Sequence, residues 1–348
     1  MPRSWCGQLA DFNGDSVADV VKLGERLGLH DVSDLMSRST KRPVRLRSRR
    51  DITLDIYSYP HDEDVKLLTQ EAAGDHYGIA NMSGGALLDV GGHIGLTAML
   101  YSLLHPAAHV YTFEPAPINF FYMAWNMVAN KMPMDRIFMR NAGLSSTGAS
   151  FTISFSPVGS MRATATEFGE YELQRGHTKA IRSETRVVEA AHLGRMLKKD
   201  CLGEVASIKL DCEGCEFNLV PAEEAFFADQ RRAIFGEYHA RHIIKLANRS
   251  LPPEALKRTW STLCSRSDWR RLEWLSCSKA GGATSEPWLD DPAVVRRREG
   301  WQQQAREKNC AAARAAGRTM PESCADPSRL PGSTQGGRTS PHFRRDRA

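Results

Sequence analysis

Short apolar runs recur along the middle of the chain, and most of them end at an acidic residue. Continuous apolar runs of this length are typical of strands that are buried on both faces. The segments between them contain few helix breakers, and the spacing of their apolar residues predicts helices. This alternation predicts an α/β fold with a mostly parallel sheet and helices on both faces. The predicted strands include residues 86–90, 109–114, 205–211 and 233–238, and the clearest helices are residues 96–104 and 117–130.

The turn after the first of these strands is rich in glycine and has the sequence Asp89-Val-Gly-Gly-His-Ile-Gly95. Gly91 and Gly95 have no Cβ, so the turn can take left-handed dihedral angles and a ligand can lie against bare backbone. In α/β folds, nucleotide-like ligands bind at such a strand–turn–helix unit. The spacing is not the G-x-G-x-x-G of dinucleotide-binding folds, and the lysine of a P-loop is missing. A turn that only packs a helix against the sheet is the alternative.

Acidic residues also follow the other predicted strands. Glu114 ends the second strand, Asp211 ends the third, and Glu237 and His239 end the fourth. The carboxyl ends of parallel strands share one edge of a sheet, so we expect these side chains to line one crevice with Asp89. A crevice this acidic suits a cationic ligand such as a sulfonium. The same oxygens are possible Mg²⁺ ligands, but solvated acids beside a cationic ligand explain them equally well, and we predict no metal.

Four segments, taken in order, resemble the FkbM-type family of S-adenosylmethionine-dependent methyltransferases. They are residues 88–95, 113–115, 208–216 and 236–239. The resemblance implies a Rossmann-like class I methyltransferase fold, whose mostly parallel sheet has seven strands with one of them reversed. It also implies that the cofactor is S-adenosyl-L-methionine. The methyl acceptor implied by the resemblance is a hydroxyl group on a small molecule, a sugar or a lipid.

The same resemblance implies roles for individual residues. Glu114 holds the ribose hydroxyls, and Asp211 lines the face where the methyl group is transferred. The chain departs from the family in two positions of the glycine turn, because His93 replaces a usual asparagine and Gly92 replaces alanine or a similar small residue. The cofactor-binding residues implied in this way are Asp89, Gly91, Gly92, His93, Gly95 and Glu114.

A hydroxyl acceptor has to lose its proton during methyl transfer, so we expect a base in the site. We predict that Asp211 positions the acceptor and that His239 is the base, since histidine titrates near neutral pH. His239 is equally explained as a strand-end histidine bound to a backbone carbonyl. Two other function classes stay open. One is a methyltransferase fold that binds a cofactor or partner without catalysing a reaction. The other is a nicotinamide-dependent oxidoreductase, although the glycine spacing argues against it.

Composition divides the chain into three predicted regions. Residues 1–50 contain an amphipathic helix over 16–36 and a basic segment, for which a linker or strand pair is favoured over phosphate contacts. Residues 51–280 form the methyltransferase domain, with a late strand near 271–278. Residues 281–348 are a basic and largely disordered extension. The chain carries a net charge of +5 and residues 291–348 alone carry +6. Because the charge lies in the tail and an amino-methylation motif is absent, we do not expect nucleic acid as a partner.

The eight cysteines are scattered over 348 residues, which argues against a disulfide scaffold, so we expect reduced thiols. Cys212 and Cys215 replace the valine and alanine that are more frequent in the family. They lack the second pair that a structural zinc site needs. No apolar run reaches about 18 residues, so no membrane span is predicted. Met1 to Asp15 lack the apolar core of a signal peptide, and we predict a cytoplasmic location.

Overall fold

The computed structural model describes residues 10–45, 52–59, 69, 73, 77–82, 84–155, 164–165, 184–198, 202, 204–212, 214–236, 258–259 and 261–263. The chain divides into two units, Met1–Ser278 and Lys279–Ala348, and every described residue belongs to the first. The predictions for Glu237, for His239, for the late strand near 271–278 and for the C-terminal extension therefore lie outside the described residues.

Helices and strands alternate through the middle of the described residues. The helices are α1 (Val17–Arg26), α2 (Val32–Arg38), α3 (Leu96–Leu104), α4 (Pro117–Ala129), α5 (Leu193–Lys198), α6 (Glu216–Ala222) and α7 (Glu224–Ala228). The strands are β1 (Thr40–Arg45), β2 (Thr53–Ser58), β3 (Ala86–Val90), β4 (Val110–Phe113), β5 (Ile137–Arg140), β6 (Gly143–Ser145), β7 (Phe151–Phe155), β8 (Thr164–Ala165), β9 (Glu184–Val188), β10 (Ala190–His192), β11 (Val205–Leu210) and β12 (Ala233–Gly236).

A parallel sheet of five strands forms the centre of the fold, in the order β12–β11–β3–β4–β5. The chain runs outward from β3 through β4 to β5, and later returns to place β11 on the other side of β3. The strand order therefore reverses between β3 and β11. In open α/β sheets, ligands bind outside the carboxyl ends of the strands at such a reversal, so the topology itself selects one end of β3 and β11.

Both faces of this sheet are covered by helices, as the apolar strands predict. Leu87, Val110 and Phe235 pack on one face in the same apolar cluster as α3 and α4. The next residues along the strands point the other way, and Leu88 and Ile208 pack with α5, α6 and α7. Successive side chains of a strand alternate between faces, so uninterrupted apolar sequence is required where both faces are buried.

The N-terminal region differs from the single amphipathic helix predicted over residues 16–36. Two helices, α1 and α2, occupy it instead. Gly28 takes a left-handed φ of 67° after α1, and the side chain of Asp31 caps α2 by accepting a hydrogen bond from the Asp34 N–H. A left-handed glycine ends a helix and an aspartate cap begins a new one. The basic segment that follows contains β1, in agreement with the prediction of a linker or a strand pair in this segment.

Strands β1 and β2 form an antiparallel hairpin that docks on α4. The Asn126 side chain accepts from the Tyr57 N–H at 2.7 Å and donates to the Tyr57 carbonyl at 3.1 Å. One turn later, Asn130 makes the same pair of bonds with Asp55, both at 2.8 Å. The two amides thus complete one edge of β2. The boundary predicted at residue 50 falls inside this hairpin.

Two smaller sheets accompany the central one. Strand β7 pairs antiparallel with β8 and β9, and β6 pairs parallel with β10. The helices within the described ranges include none with the length and apolar character that a membrane crossing requires.

Candidate functional site

Three of the predicted site carboxylates meet where the strand order reverses. Asp89 is the penultimate residue of β3, Glu114 directly follows β4, and Asp211 directly follows β11. Since β4, β3 and β11 are parallel neighbours, their carboxyl ends lie side by side. Glu237 and His239, which were predicted to join them, lie outside the described residues.

Asp89 is fully buried within a polar row that crosses three strands. In the parallel register, Thr112 of β4 faces Asp89, and Asp89 faces Lys209 of β11. The Thr112 hydroxyl donates to Asp89 Oδ2 at 2.9 Å, and Lys209 Nζ lies 3.6 Å from Oδ1. Burial raises the pKa of Asp89, while the nearby Lys209 ammonium and the Thr112 hydroxyl act in the opposite direction. Asp89 is therefore a fixed inner wall of the site.

Glu114 is buried, and its carboxylate points at backbone donors. Oε2 accepts from the His93 N–H at 2.8 Å, and Oε1 accepts from the Ala116 N–H at 2.9 Å and from Asn119 Nδ2 at 3.4 Å. Burial raises its pKa to about 7, although these hydrogen bonds lower it. The carboxylate thus connects the glycine turn to the start of α4, a role that the sequence did not indicate.

The glycine turn packs backbone against backbone. Gly91 has a φ of 83°, and a Cβ there would lie 2.8 Å from the Asp211 carbonyl carbon and would overlap its oxygen. A Cβ on Gly92 would overlap the Thr112 hydroxyl and lie 2.6 Å from Met123. The N–H groups of Gly91 and Gly92 both donate to the Phe113 carbonyl, at 3.0 and 2.9 Å. These glycines permit close packing, and their amides are already used within the protein.

His93 lies in the same turn with an unusual backbone conformation. Its φ is 50°, in the left-handed region that few non-glycine residues adopt. Both ring nitrogens are buried, and neither has a hydrogen-bond partner among the described residues. Burial lowers the pKa of His93 to about 4, and the Lys209 ammonium lowers it further. The imidazole is therefore neutral near pH 7 and has one donor and one acceptor to offer a ligand.

Lys209 is a buried charged residue of this cluster that the sequence reasoning did not single out. Its Nζ donates to the Gly91 carbonyl at 2.5 Å and lies 3.4 Å from Asp211 Oδ2. Burial disfavours its charged form, but the carboxylates of Asp211 and Asp89 outweigh burial and raise its pKa. This group of carboxylates therefore contains a positive charge that the sequence prediction did not include. A lysine inside an apolar strand was the available signal, because buried lysines are rare unless they are paired.

The cysteine prediction was wrong for one pair. Cys212 and Cys215 form a disulfide across the turn between β11 and α6. The turn brings their Cα atoms to 5.5 Å, within the range that a disulfide needs. The buried Glu216 carboxylate accepts from the Gly214 N–H at 3.0 Å and supports this turn. Cys212, Cys215 and Glu216 place possible metal-ligand atoms within 4.8 Å of one another, but the disulfide occupies both sulfurs.

A known protein family matches the part of the chain that contains these residues. Residues 89–259 match the model of the Methyltransferase FkbM domain. No curated protein sequence matches the chain. A crystal structure of methyltransferase FkbM from Methylobacillus flagellatus KT is 13% identical, with 74% of this chain and 57% of that protein covered and a TM-score of 0.31. The chain thus spans 57% of the length of that protein, and so low a TM-score adds nothing to the family match.

The matched residues begin at Asp89 and contain the glycine turn, Glu114, Lys209 and Asp211. They therefore include all the site residues described above. Residues 89–259 of the chain are therefore similar to the methyltransferase FkbM domain.

Proposed function

We propose that the chain uses S-adenosyl-L-methionine to methylate a hydroxyl oxygen of a small molecule, a sugar or a lipid. The match of residues 89–259 to a methyltransferase domain supports the transfer of a methyl group. The observation that carries the more specific proposal is the cluster of carboxylates at the strand reversal, where Asp89, Glu114 and Asp211 flank the glycine turn. We also propose that the fold is that of the class I methyltransferases, whose sheet has seven strands.

The residues of the crevice fit this cofactor in two respects. His93 has two buried and unpartnered ring nitrogens, which can bind polar atoms of a ligand. Glu114 is a carboxylate at the end of β4, the strand next to the glycine turn. An acid in this position of a βαβ unit accepts hydrogen bonds from ribose hydroxyls. In this proposal, Asp89, Gly91, Gly92, His93 and Gly95 shape the methionine side of the site and Glu114 binds the ribose.

The bound cofactor supplies a methyl group that its sulfonium already activates. The protein then has to hold the acceptor oxygen in line with that methyl group, and good positioning contributes up to ~7–11 kcal/mol to the rate. Asp211 suits this task because its side chain is 22% exposed, whereas Asp89 is completely buried. We assign Asp211 to orienting the acceptor hydroxyl. His239, outside the described residues, is the proposed base for the hydroxyl proton.

The test is calorimetric titration of S-adenosylmethionine into the purified full chain. We expect micromolar binding in the wild type, a large loss in Glu114→Ala, and no change in Glu25→Ala, which removes an exposed acid of α1. A folded wild type that binds NADH and not S-adenosylmethionine would establish the oxidoreductase alternative. Cofactor binding without transfer of a labelled methyl group to any of a panel of hydroxyl compounds would favour a binding protein without catalysis.

A further inference from the structure

Lys209 places a positive charge inside a crevice that is proposed to bind a cationic cofactor. We propose that Lys209 sets the charge of this site, and thereby the balance between the sulfonium substrate and the neutral thioether product. The inference rests on the proposed function, because it concerns the binding of S-adenosylmethionine and S-adenosylhomocysteine. It gives a role to a residue of the matched segment to which the predicted site assigned none.

The geometry fixes the ammonium at three points. Nζ donates to the Gly91 carbonyl at 2.5 Å, and it lies 3.4 Å from Asp211 Oδ2 and 3.6 Å from Asp89 Oδ1. The Lys209 side chain is only 6% exposed. It therefore connects the glycine turn to both strands that flank the reversal. The charge is therefore held inside the protein and not at its surface.

Burial makes this charge effective over several ångströms. Near buried groups, the interaction energy of two unit charges about 10 Å apart is still large enough to change a binding constant about tenfold or more. S-adenosylmethionine and S-adenosylhomocysteine share their adenosine, amino and carboxylate groups and differ in the methyl group and positive charge at sulfur. Their affinity ratio therefore measures the electrostatic potential at the sulfur. The positive charge of Lys209 disfavours binding of the sulfonium, and the negative charge of Asp211 favours it.

The experiment measures dissociation constants of both compounds by calorimetry for the full chain and its variants. Lys209→Met should raise the preference for S-adenosylmethionine at least about fivefold, and Lys209→Arg should keep the wild-type ratio within about twofold. Asp211→Asn should lower the preference for S-adenosylmethionine about threefold. This effect is smaller than that of Lys209 because Asp211 is more exposed to solvent. Lys198→Met removes an exposed lysine of α5 and should change nothing.

The double variant Lys209→Met with Asp211→Asn removes one charge of each sign, so its ratio should return towards that of the wild type. If Lys209→Met alone does not fold, the double variant can be compared with Asp211→Asn to measure the effect of Lys209. The double variant leaves one fewer carboxylate without its lysine partner, so we expect it to fold more readily. If Lys209 has only a structural role, its loss will weaken the binding of both compounds equally and leave the ratio of their affinities unchanged. That result would overturn the proposal. A wild type that binds neither compound would instead overturn the proposed function, and this inference with it.

Discussion

Gly91 faces the carbonyl group of Asp211 so closely that a Cβ on Gly91 would lie 2.8 Å from the carbonyl carbon. The contact joins the turn after β3 to the end of β11. Lys209 reinforces it, because its ammonium binds the Gly91 carbonyl and pairs with the Asp211 carboxylate. The glycine turn and the proposed acceptor-orienting residue consequently hold each other in place.

Gly91→Ala should disrupt both folding and cofactor binding. The new methyl group would overlap the Asp211 carbonyl oxygen, and alanine is strained at a φ of 83°. We expect a loss of at least ~2 kcal/mol in the free energy of unfolding and a cofactor affinity reduced more than about tenfold. Denaturant unfolding and calorimetry provide the measurements. Gly84→Ala is the matched control, because a Cβ there has no atom within 4 Å; equal effects in both variants would contradict the argument.

Asp211→Ala should separate catalysis from binding. Asp211 is assigned to the acceptor and lies at the more exposed end of the charged row, with 22% of its side chain exposed. We expect turnover to be abolished while the affinity for S-adenosylmethionine stays within a few-fold of the wild type. Transfer of a labelled methyl group to an accepted hydroxyl compound, together with calorimetry, measures the two quantities. Normal turnover in this variant would remove Asp211 from the proposed mechanism.

Glu114 should make the stability of the fold depend on pH. Burial raises its pKa from 4.5 to about 7 in the folded protein. Between these values the folded chain keeps a proton that the unfolded chain has released. This carboxyl therefore contributes stability that is fully present below about pH 4.5 and is lost as the pH rises through about 7.

The comparison of wild type with Glu114→Gln isolates this effect, since glutamine does not titrate. Between pH 4.5 and 8, we expect the wild type to lose ~1–3 kcal/mol relative to the variant. Denaturant unfolding over this pH range gives the difference directly. A difference that does not change with pH would mean that the Glu114 pKa is ordinary in the folded state.

Asn126→Ala should destabilise the docking of the N-terminal hairpin. It removes the acceptor for the Tyr57 N–H and the donor for the Tyr57 carbonyl. Leaving such buried backbone groups without partners costs about 1–3 kcal/mol each. We expect a loss of ~2 kcal/mol or more in the free energy of unfolding. Asn218→Ala on α6 is exposed and should change stability by less than about 0.5 kcal/mol.

The strands of the central sheet could be predicted because their burial on both faces leaves a simple signature in the sequence. The observed β3, β4, β11 and β12 lie within the predicted strands, and α4 ends one residue before the predicted limit. The single helix predicted over residues 16–36 was wrong. Apolar spacing continues through that segment, whereas the left-handed Gly28 and the capping Asp31 decide where the helices end and begin.

The site was predictable as a set of positions and not as a set of contacts. Strand ends identify Asp89, Glu114 and Asp211, since parallel strands share an edge. The role of Lys209 depends on the register between β3 and β11, which places it opposite Asp89. The Cys212–Cys215 disulfide depends on the shape of one turn. Register and turn shape arise from tertiary packing, and composition or spacing does not report them.

The two asparagine side chains that bind β2 also occupy part of a sheet edge that another strand could otherwise use. A strand at the edge of a sheet exposes unpaired N–H and C=O groups, which are a template for another strand. At Tyr57 these groups are taken by Asn126 of α4, and at Asp55 by Asn130, which directly follows α4. A helix thus closes the edge of a hairpin, so at these two positions β2 offers no backbone group to the strand of a second molecule.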